Sequence, residues 1–505
     1  MTSAHAQIIG IFEQFCDHSG LAYRHDDGDL SYRALYHAAR NLAERLIASG
    51  SHDPVLIWGH KDRRMLIGYW AALLSGRPVV PVEPGLPRER LSRIAALCGA
   101  DVVLLAEEAD EDVLPGDIAT LAIPLEACGL GPRRLTPVAP ADGDTAYILF
   151  SSGTTGEPKG IAVTYANLAD FIVWMRQLSD DFGPIGGVTG NVRFCFDVSL
   201  FEMWLAWING SAITALDHRD VWNTAKYIAR YGTNGITTWV STPALAAHWL
   251  KDHRFCADSL PGLREMVFCG EVLPKSVVRA LWDRFPDLRI LNTYGPTECT
   301  VAVSSIEITP AHLAAQAELP IGAPRPGTAM HLAPAEDGGE EIVVTGQSVG
   351  AGYLGAPDKQ ARAFPAPATY RTGDRGRLGE DGLWYFGGRR DREIKLNGYR
   401  IDLEAIETTI RGLAGSHEVV VSVSGNGRAL QACVIGPADA ETLRDLSIRT
   451  AALLPDYMTP RFWSAFETPP LTASSKLDRT ALAQTAVEAG ITHIHSPDRR
   501  VTAAE

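Results

Sequence analysis

The segment 150-FSSGTTGEPKG-160 packs Ser151, Ser152, Thr154, Thr155, Lys159 and the glycines Gly153, Gly156 and Gly160 into eleven residues. The hydroxyls can donate hydrogen bonds, the glycines let backbone N–H groups approach an anion closely, and the lysine adds positive charge. That chemistry suits phosphate. A P-loop of the form GxxxxGK[ST] is absent, because Lys159 follows a proline and precedes a glycine. Ser/Thr/Gly/Pro clusters are also common surface turns, so the segment alone leaves both readings open.

The elements that must position it alternate. PVLIWG (54–59), PVVPV (78–82) and DVVLLA (101–106) read as strands. RRMLIGYWAALLSG and PRERLSRIAALCGA, between them, carry helical apolar spacing. AYILF leads as a strand into the glycine-rich segment, and a helix is expected from about Asn167. FIVWMRQLS and SLFEMWLAWING then read as helices, and ITTWVS, LREMVFCG and LRILNTYG as strands. This order predicts an α/β protein with a mostly parallel, helix-flanked sheet. From about residue 320, shorter strands and Gly/Pro turns predict a small antiparallel portion. After the charged run GGRRDREIKLNGY comes a compact α+β pattern, so a boundary is placed near Asp391. The expected division is an N-terminal core of residues 1–390, a smaller C-terminal domain of 391–490 and a polar tail of 491–505.

A chain of 505 residues is too long for one ordinary core. Its 46% hydrophobic and 21% charged residues are those of a soluble globular protein. No apolar run reaches the roughly 18–20 residues of a membrane span, and no signal peptide is read at the N-terminus. The eight scattered cysteines show neither CxxC nor zinc spacing, which predicts reduced thiols and a cytoplasmic location. A formal net charge of −14 argues against nucleic acid or anionic membrane as partners. Residues 392–505 carry only −2 of it, with 12 Lys/Arg against 14 Asp/Glu.

Five segments together resemble the signatures of the adenylate-forming superfamily: 147-YILFSSGTTGEPKGIAV-163, 294-YGPTE-298, 371-RTGD-374, 388-GRRDREIKLNGYRID-402 and 471-LTASSKLDR-479. They occur in that superfamily's order and cover nearly the whole chain. The resemblance implies ATP-dependent activation of a carboxylate as an acyl-adenylate with release of pyrophosphate, then transfer to a thiol. It implies that Ser151, Ser152, Gly153, Thr154, Thr155, Gly156 and Lys159 hold the outer phosphates. Thr297 would touch the α-phosphate and Glu298 would hold Mg²⁺. Asn292, Tyr294 and Gly295 would lie by the adenine, and Asp374 and Arg389 by the ribose and phosphate. Lys476 would bridge the substrate carboxylate and α-phosphate, although Ser475 stands where glycine is usual. Asp391 would be the hinge about which the C-terminal domain rotates, presenting the 395-KLNGYR-400 face, with Gly398 beside the thiol arm.

Further segments, 57-IWGHKDRRMLIGYWAALLSGRPVVPVE-83, 239-WVSTPAL-245, 267-VFCGEVLP-274 and 292-NTYGPTECTVAVSS-305, are similar to the D-alanine–carrier protein ligase family. By that resemblance Asp197, in 194-FCFDVSLFEMW-204, pairs with a substrate α-ammonium, while Cys269 and Val301 line a small side-chain pocket. Asp197 also suits a helix N-cap before SLFEMW, and Cys269 suits a packed core. The implied substrate is a small amino acid, D-alanine favoured over glycine or another small or nonproteinogenic amino acid, with a fatty-acid or aryl-acid CoA ligase disfavoured by Asp197. The implied acceptor is the phosphopantetheine thiol of a carrier protein acting in trans.

Overall fold

The computed structural model describes residues 2–466 apart from 111, 117, 126–135, 153–157, 316–317, 336–338, 391, 398, 415–417, 425–426, 428 and 437, together with 482 and the backbone of 493–494. Gly153, Thr154, Thr155, Gly156, Asp391, Gly398, Ser475 and Lys476 lie outside the described residues, as do the side chains of Ser151 and Ser152 and most of the tail.

Two large sheets carry the N-terminal part. One has the order Gly352–Leu354, Pro158–Thr164, Thr145–Ser152, Val79–Val82, Val55–Trp58, Val102–Leu105 and Ala119–Ala122. Its last five strands are parallel, and the first two add antiparallel. The other has nine strands and a parallel centre of Leu21–Arg24, Ala212–Ala215, Gly187–Gly190, Thr238–Ser241, Glu265–Phe268 and Arg289–Tyr294. Helices Arg64–Leu74 and Ser199–Asn209 are buried along almost their whole length. Apart from Ser199 and Glu202 their buried faces are apolar all round, because they pack within the core rather than cover it. Trp70, Trp204 and Trp207 meet there with ring centroids 4.7–5.6 Å apart.

An antiparallel portion follows, with the three-stranded sheet Thr328–Pro334, Glu340–Gly346, Thr369–Arg371 and the hairpin Asp374–Leu378/Trp384–Arg389. Next come a second hairpin, Glu393–Leu396/Tyr399–Asp402, and an α+β unit. In that unit helices Leu403–Ala414 and Ala440–Leu453 accompany strands Glu418–Val423, Leu430–Ile435, Phe462–Phe466 and His493–Ile494. It has its own apolar cluster, including Ile401, Ile406, Ile410, Val434 and Trp463.

The helices, strands and antiparallel portion read from the sequence are present. Two long N-terminal helices, Ala4–Glu13 and Tyr32–Ala48, are additional. The second buries a face built largely of Ala38, Ala39, Leu42, Ala43 and Leu46, and alanine gives a weak periodic signal. Lys159 also moves from its expected place in a loop. It sits on strand Pro158–Thr164, paired opposite Ser151 of the antiparallel strand Thr145–Ser152.

Candidate active site

Strand ends bring the candidate residues together. Arg289–Tyr294 delivers Asn292 and Tyr294, and the chain then turns through Gly295 and Pro296 into the 3₁₀ turn Thr297–Cys299. Gly295 is needed sterically, since a Cβ there would lie 2.4 Å from the Ala302 Cα. The turn closes through Thr300 and Val301, both in the left-handed region with φ of 56° and 72°. For β-branched residues that is strained backbone, of the kind that gathers at functional sites. Both are fully buried, and the Thr300 hydroxyl donates to the Ser348 carbonyl at 2.8 Å.

Glu298 is fully buried at the centre of a charged cluster. Arg400, from the second hairpin, donates through Nη1 to both its oxygens at 2.9 and 2.7 Å, and the Tyr353 hydroxyl donates at 2.7 Å. Lys159 Nζ lies 3.7 Å from Glu298, 3.6 Å from Glu393 and 4.5 Å from the Tyr353 ring centre. Arg400 also grips Glu393 through Nε. Arg389 joins Glu393 at 3.0 Å to Asp374 at 2.7 Å. Lys159, Arg389 and Arg400 thus balance Glu298, Glu393 and Asp374.

Burial alone would raise the Glu298 pKa, but the Arg400 and Lys159 cations and the bonds from Arg400 and Tyr353 outweigh it. Its carboxyl is held well below the usual range. Asp374 shows the opposite balance. Burial pushes its pKa up despite Arg389 and the bond from the Tyr294 hydroxyl.

The second group lies at the entry to helix Ser199–Asn209. Asp197 does not cap that helix. Val198 occupies the cap position without a side-chain bond, and the Asp197 carboxylate instead meets the Thr297 hydroxyl and the Val198 N–H. Burial raises its pKa, and Thr297, Lys395 and the Val198 N–H oppose the rise. Asp197 and Lys395 also lie within electrostatic reach of Cys269. Cys269 is 1% exposed, with Sγ 4.0 Å from the Val301 carbonyl, and burial pushes its thiol up to about 11. Burial outweighs the opposing pull of Lys395 and Thr293, so among the described residues it is a pocket or packing thiol and not an activated nucleophile.

Asn292 is buried, and its amide donates to the Pro320 carbonyl at 2.7 Å, so it braces the strand. The residues not singled out from the sequence are Arg400, Glu393, Tyr353 and Lys395. Arg400 and Lys395 stand within the KLNGYR motif, but nothing in the spacing reveals their partners.

The sequence profile of the family described as AMP-binding enzyme matches residues 12–354. The chain belongs to that family and is an adenylate-forming ligase. Within it, D-alanine--D-alanyl carrier protein ligase of Staphylococcus aureus (strain Newman) is 34% identical over 490 residues, spanning 94% of this chain and 99% of the relative. Among solved structures, PA1221, a nonribosomal peptide synthetase protein containing adenylation and PCP domains, aligns with a TM-score of 0.80 at 26% identity, covering 96% of this chain and 97% of that one. IdnL1 aligns with a TM-score of 0.77 at 25% identity, covering 93% and 99%.

Proposed function

We propose that this ligase activates a small amino acid, D-alanine before others, and passes it to the phosphopantetheine thiol of a carrier protein. The observation that carries the reading is the buried carboxylate of Asp197 beside Cys269. Burial costs this carboxylate more than Thr297, Lys395 and the Val198 N–H return, and a substrate α-ammonium would relieve the remainder. Cys269 and Val301, both buried and in contact, would bound the space for a small side chain next to it. The name of the 34% identical relative supports the same substrate and acceptor.

In the first half-reaction the substrate carboxylate attacks the α-phosphorus of ATP, and the bond to pyrophosphate breaks. Lys159 and the segment from Ser151 would hold the outer phosphates, Thr297 the α-phosphate, and Tyr294, Asp374 and Arg389 the nucleoside. Lys476 would neutralise charge between carboxylate and phosphate, with the work of all of them being positioning and charge stabilisation. Mg²⁺ of the nucleotide fits Glu298, because an ionised carboxylate suits a hard cation and Glu298 is held ionised. Arg400 occupies both its oxygens here, so the metal would require Arg400 to withdraw. When bound, the metal would screen phosphate charge. In the second half-reaction the thiol attacks the adenylate carbonyl and AMP leaves. A movement about Asp391 of residues 391–490 against residues 1–390 would separate the two arrangements.

The test is amino-acid-dependent ATP–pyrophosphate exchange with both alanine enantiomers, glycine, β-alanine and aryl and fatty acids. D-alanine is expected to lead. Asp197→Asn should lower kcat/KM for the amino acid by roughly 30- to 150-fold, the loss of about 2–3 kcal/mol from one charged hydrogen bond. Equal exchange with acids lacking an amino group would refute the Asp197 assignment.

A further inference from the structure

One buried polar cluster lies outside the nucleotide and amino-acid sites. Between strand Gly187–Gly190 and helix Ser199–Asn209 the chain is clamped at two successive residues. Asn191 and Val192 donate their N–H groups to Glu202 Oε1 at 2.6 and 3.2 Å, and Lys61 donates to the Val192 carbonyl. The Asn191 side chain donates to the Val240 carbonyl at 2.9 Å and accepts from the Tyr231 hydroxyl at 2.8 Å. Lys61 and Glu202 are both buried. Two buried side chains, Lys61 and Glu202, that bond two consecutive peptide groups fix the direction of the next residue, Arg193.

Arg193 donates to Glu83 at 2.6 Å, and Glu83 is itself held by His60 at 3.0 Å. The guanidinium lies 5.2 Å from the Tyr399 ring centre. Tyr399 stacks on Tyr457 at 3.8 Å and meets the edge of Phe196 at 4.8 Å. Tyr399 and Tyr457 both come from the chain after residue 391, so one aromatic ring of the C-terminal portion rests on a cation of the N-terminal portion and a second ring stacks on the first. Planar guanidinium over an aromatic face is a favourable contact that an ammonium reproduces poorly.

With Tyr399 seated on Arg193, the adjacent Arg400 covers both oxygens of Glu298. The seated arrangement therefore occludes the carboxylate assigned above to Mg·ATP. We propose that Arg193 is a docking post that seats Tyr399 and Tyr457, and that it is a positioning residue for thiol transfer and not for adenylation. The inference rests on the two-step reading under Proposed function.

Arg193→Ala, Arg193→Lys and Glu83→Gln are compared with the unaltered chain in two assays. The first sets pyrophosphate exchange against single-turnover transfer to a phosphopantetheinylated carrier. Exchange is expected to stay within about twofold, while transfer falls at least tenfold in Arg193→Ala and by an intermediate factor in Arg193→Lys. The second is hydrogen–deuterium exchange, which needs no substrate. Peptides covering 393–402 and 456–458 should exchange at least tenfold faster in Arg193→Ala and Glu83→Gln, while those covering 265–294 stay unchanged and report intact folding. Equal loss of both half-reactions, or unchanged exchange in 393–402, overturns the proposal. A chain that exchanges pyrophosphate with no acid would fail the functional reading, and the hydrogen exchange would still decide the docking post.

Discussion

Replacing Glu298 by glutamine and Arg400 by methionine, singly and together, measures how firmly the second hairpin is held to the N-terminal sheets. Two unit charges about 4 Å apart interact by about 4 kcal/mol at an effective dielectric of about 20. Lys159 and Glu393 share the same field, at 3.7 Å from Glu298 and through Arg400 Nε respectively, so part of that interaction is duplicated. Each single change leaves a buried charge without its main partner and should cost about 3 kcal/mol. The double change removes both charges and should also cost about 3 kcal/mol, which gives a coupling energy of about 3 kcal/mol. Urea unfolding followed by tryptophan fluorescence supplies the four free energies. Glu298 is held below its ordinary range, because Arg400 and Lys159 outweigh burial. Its contribution is therefore present above the unfolded value of about 4.3 and is lost as pH falls through the lower folded value. The coupling should agree at pH 6 and pH 8 and decline only in acid. Additivity within about 0.5 kcal/mol at neutral pH would refute the idea that this pair holds the hairpin down.

Two other outcomes follow from local geometry. Gly295→Ala places a Cβ 2.4 Å from the Ala302 Cα, a backbone atom that cannot rotate away; a loss of about 3 kcal/mol in urea unfolding is expected, and an unchanged midpoint would show that the turn yields. Glu265, buried at the start of strand Glu265–Phe268, is pushed up to about 7 by burial, against the pull of Arg264 and Arg289. A carboxyl raised in the folded state stabilises below its unfolded value and loses that contribution as pH rises through about 7. Glu265→Gln should thus raise Tm at pH 8 and change it little at pH 4, and the reverse order would contradict the burial argument.

What was legible in the sequence was local. The apolar spacing of Arg64–Leu74 and Ser199–Asn209, the β-rich runs at Val55–Trp58 and Val79–Val82, and the Gly/Pro punctuation after residue 320 each lie within one short window. The placement of Lys159 was not legible, because nothing in the composition of its segment says that it belongs to a strand. The electrostatics was the least legible part. Arg400 and Glu298 are 102 residues apart, and Lys61 meets Val192 across 131. Such pairs exist only once the sheets have brought distant strand ends together. Asp197 marks the boundary between the two kinds of knowledge. Its type was compatible with a helix cap, and only its partners, Thr297 and the Val198 N–H, show that it does not serve as one.

The left-handed backbone at Thr300 and Val301 bears on how this pocket can change. Holding a β-branched residue there costs about 1–3 kcal/mol, while burying a valine side chain returns about 1.5–3 kcal/mol. At Val301 the two terms oppose each other. Exchanging valine for glycine would widen the proposed pocket and relax the backbone in one step, with the strain relief offsetting part of the lost burial. Under the proposed reading, strain relief would offset part of the burial and cavity cost of enlarging the pocket here, so pocket size at this position would be more loosely coupled to folding than at an unstrained core position.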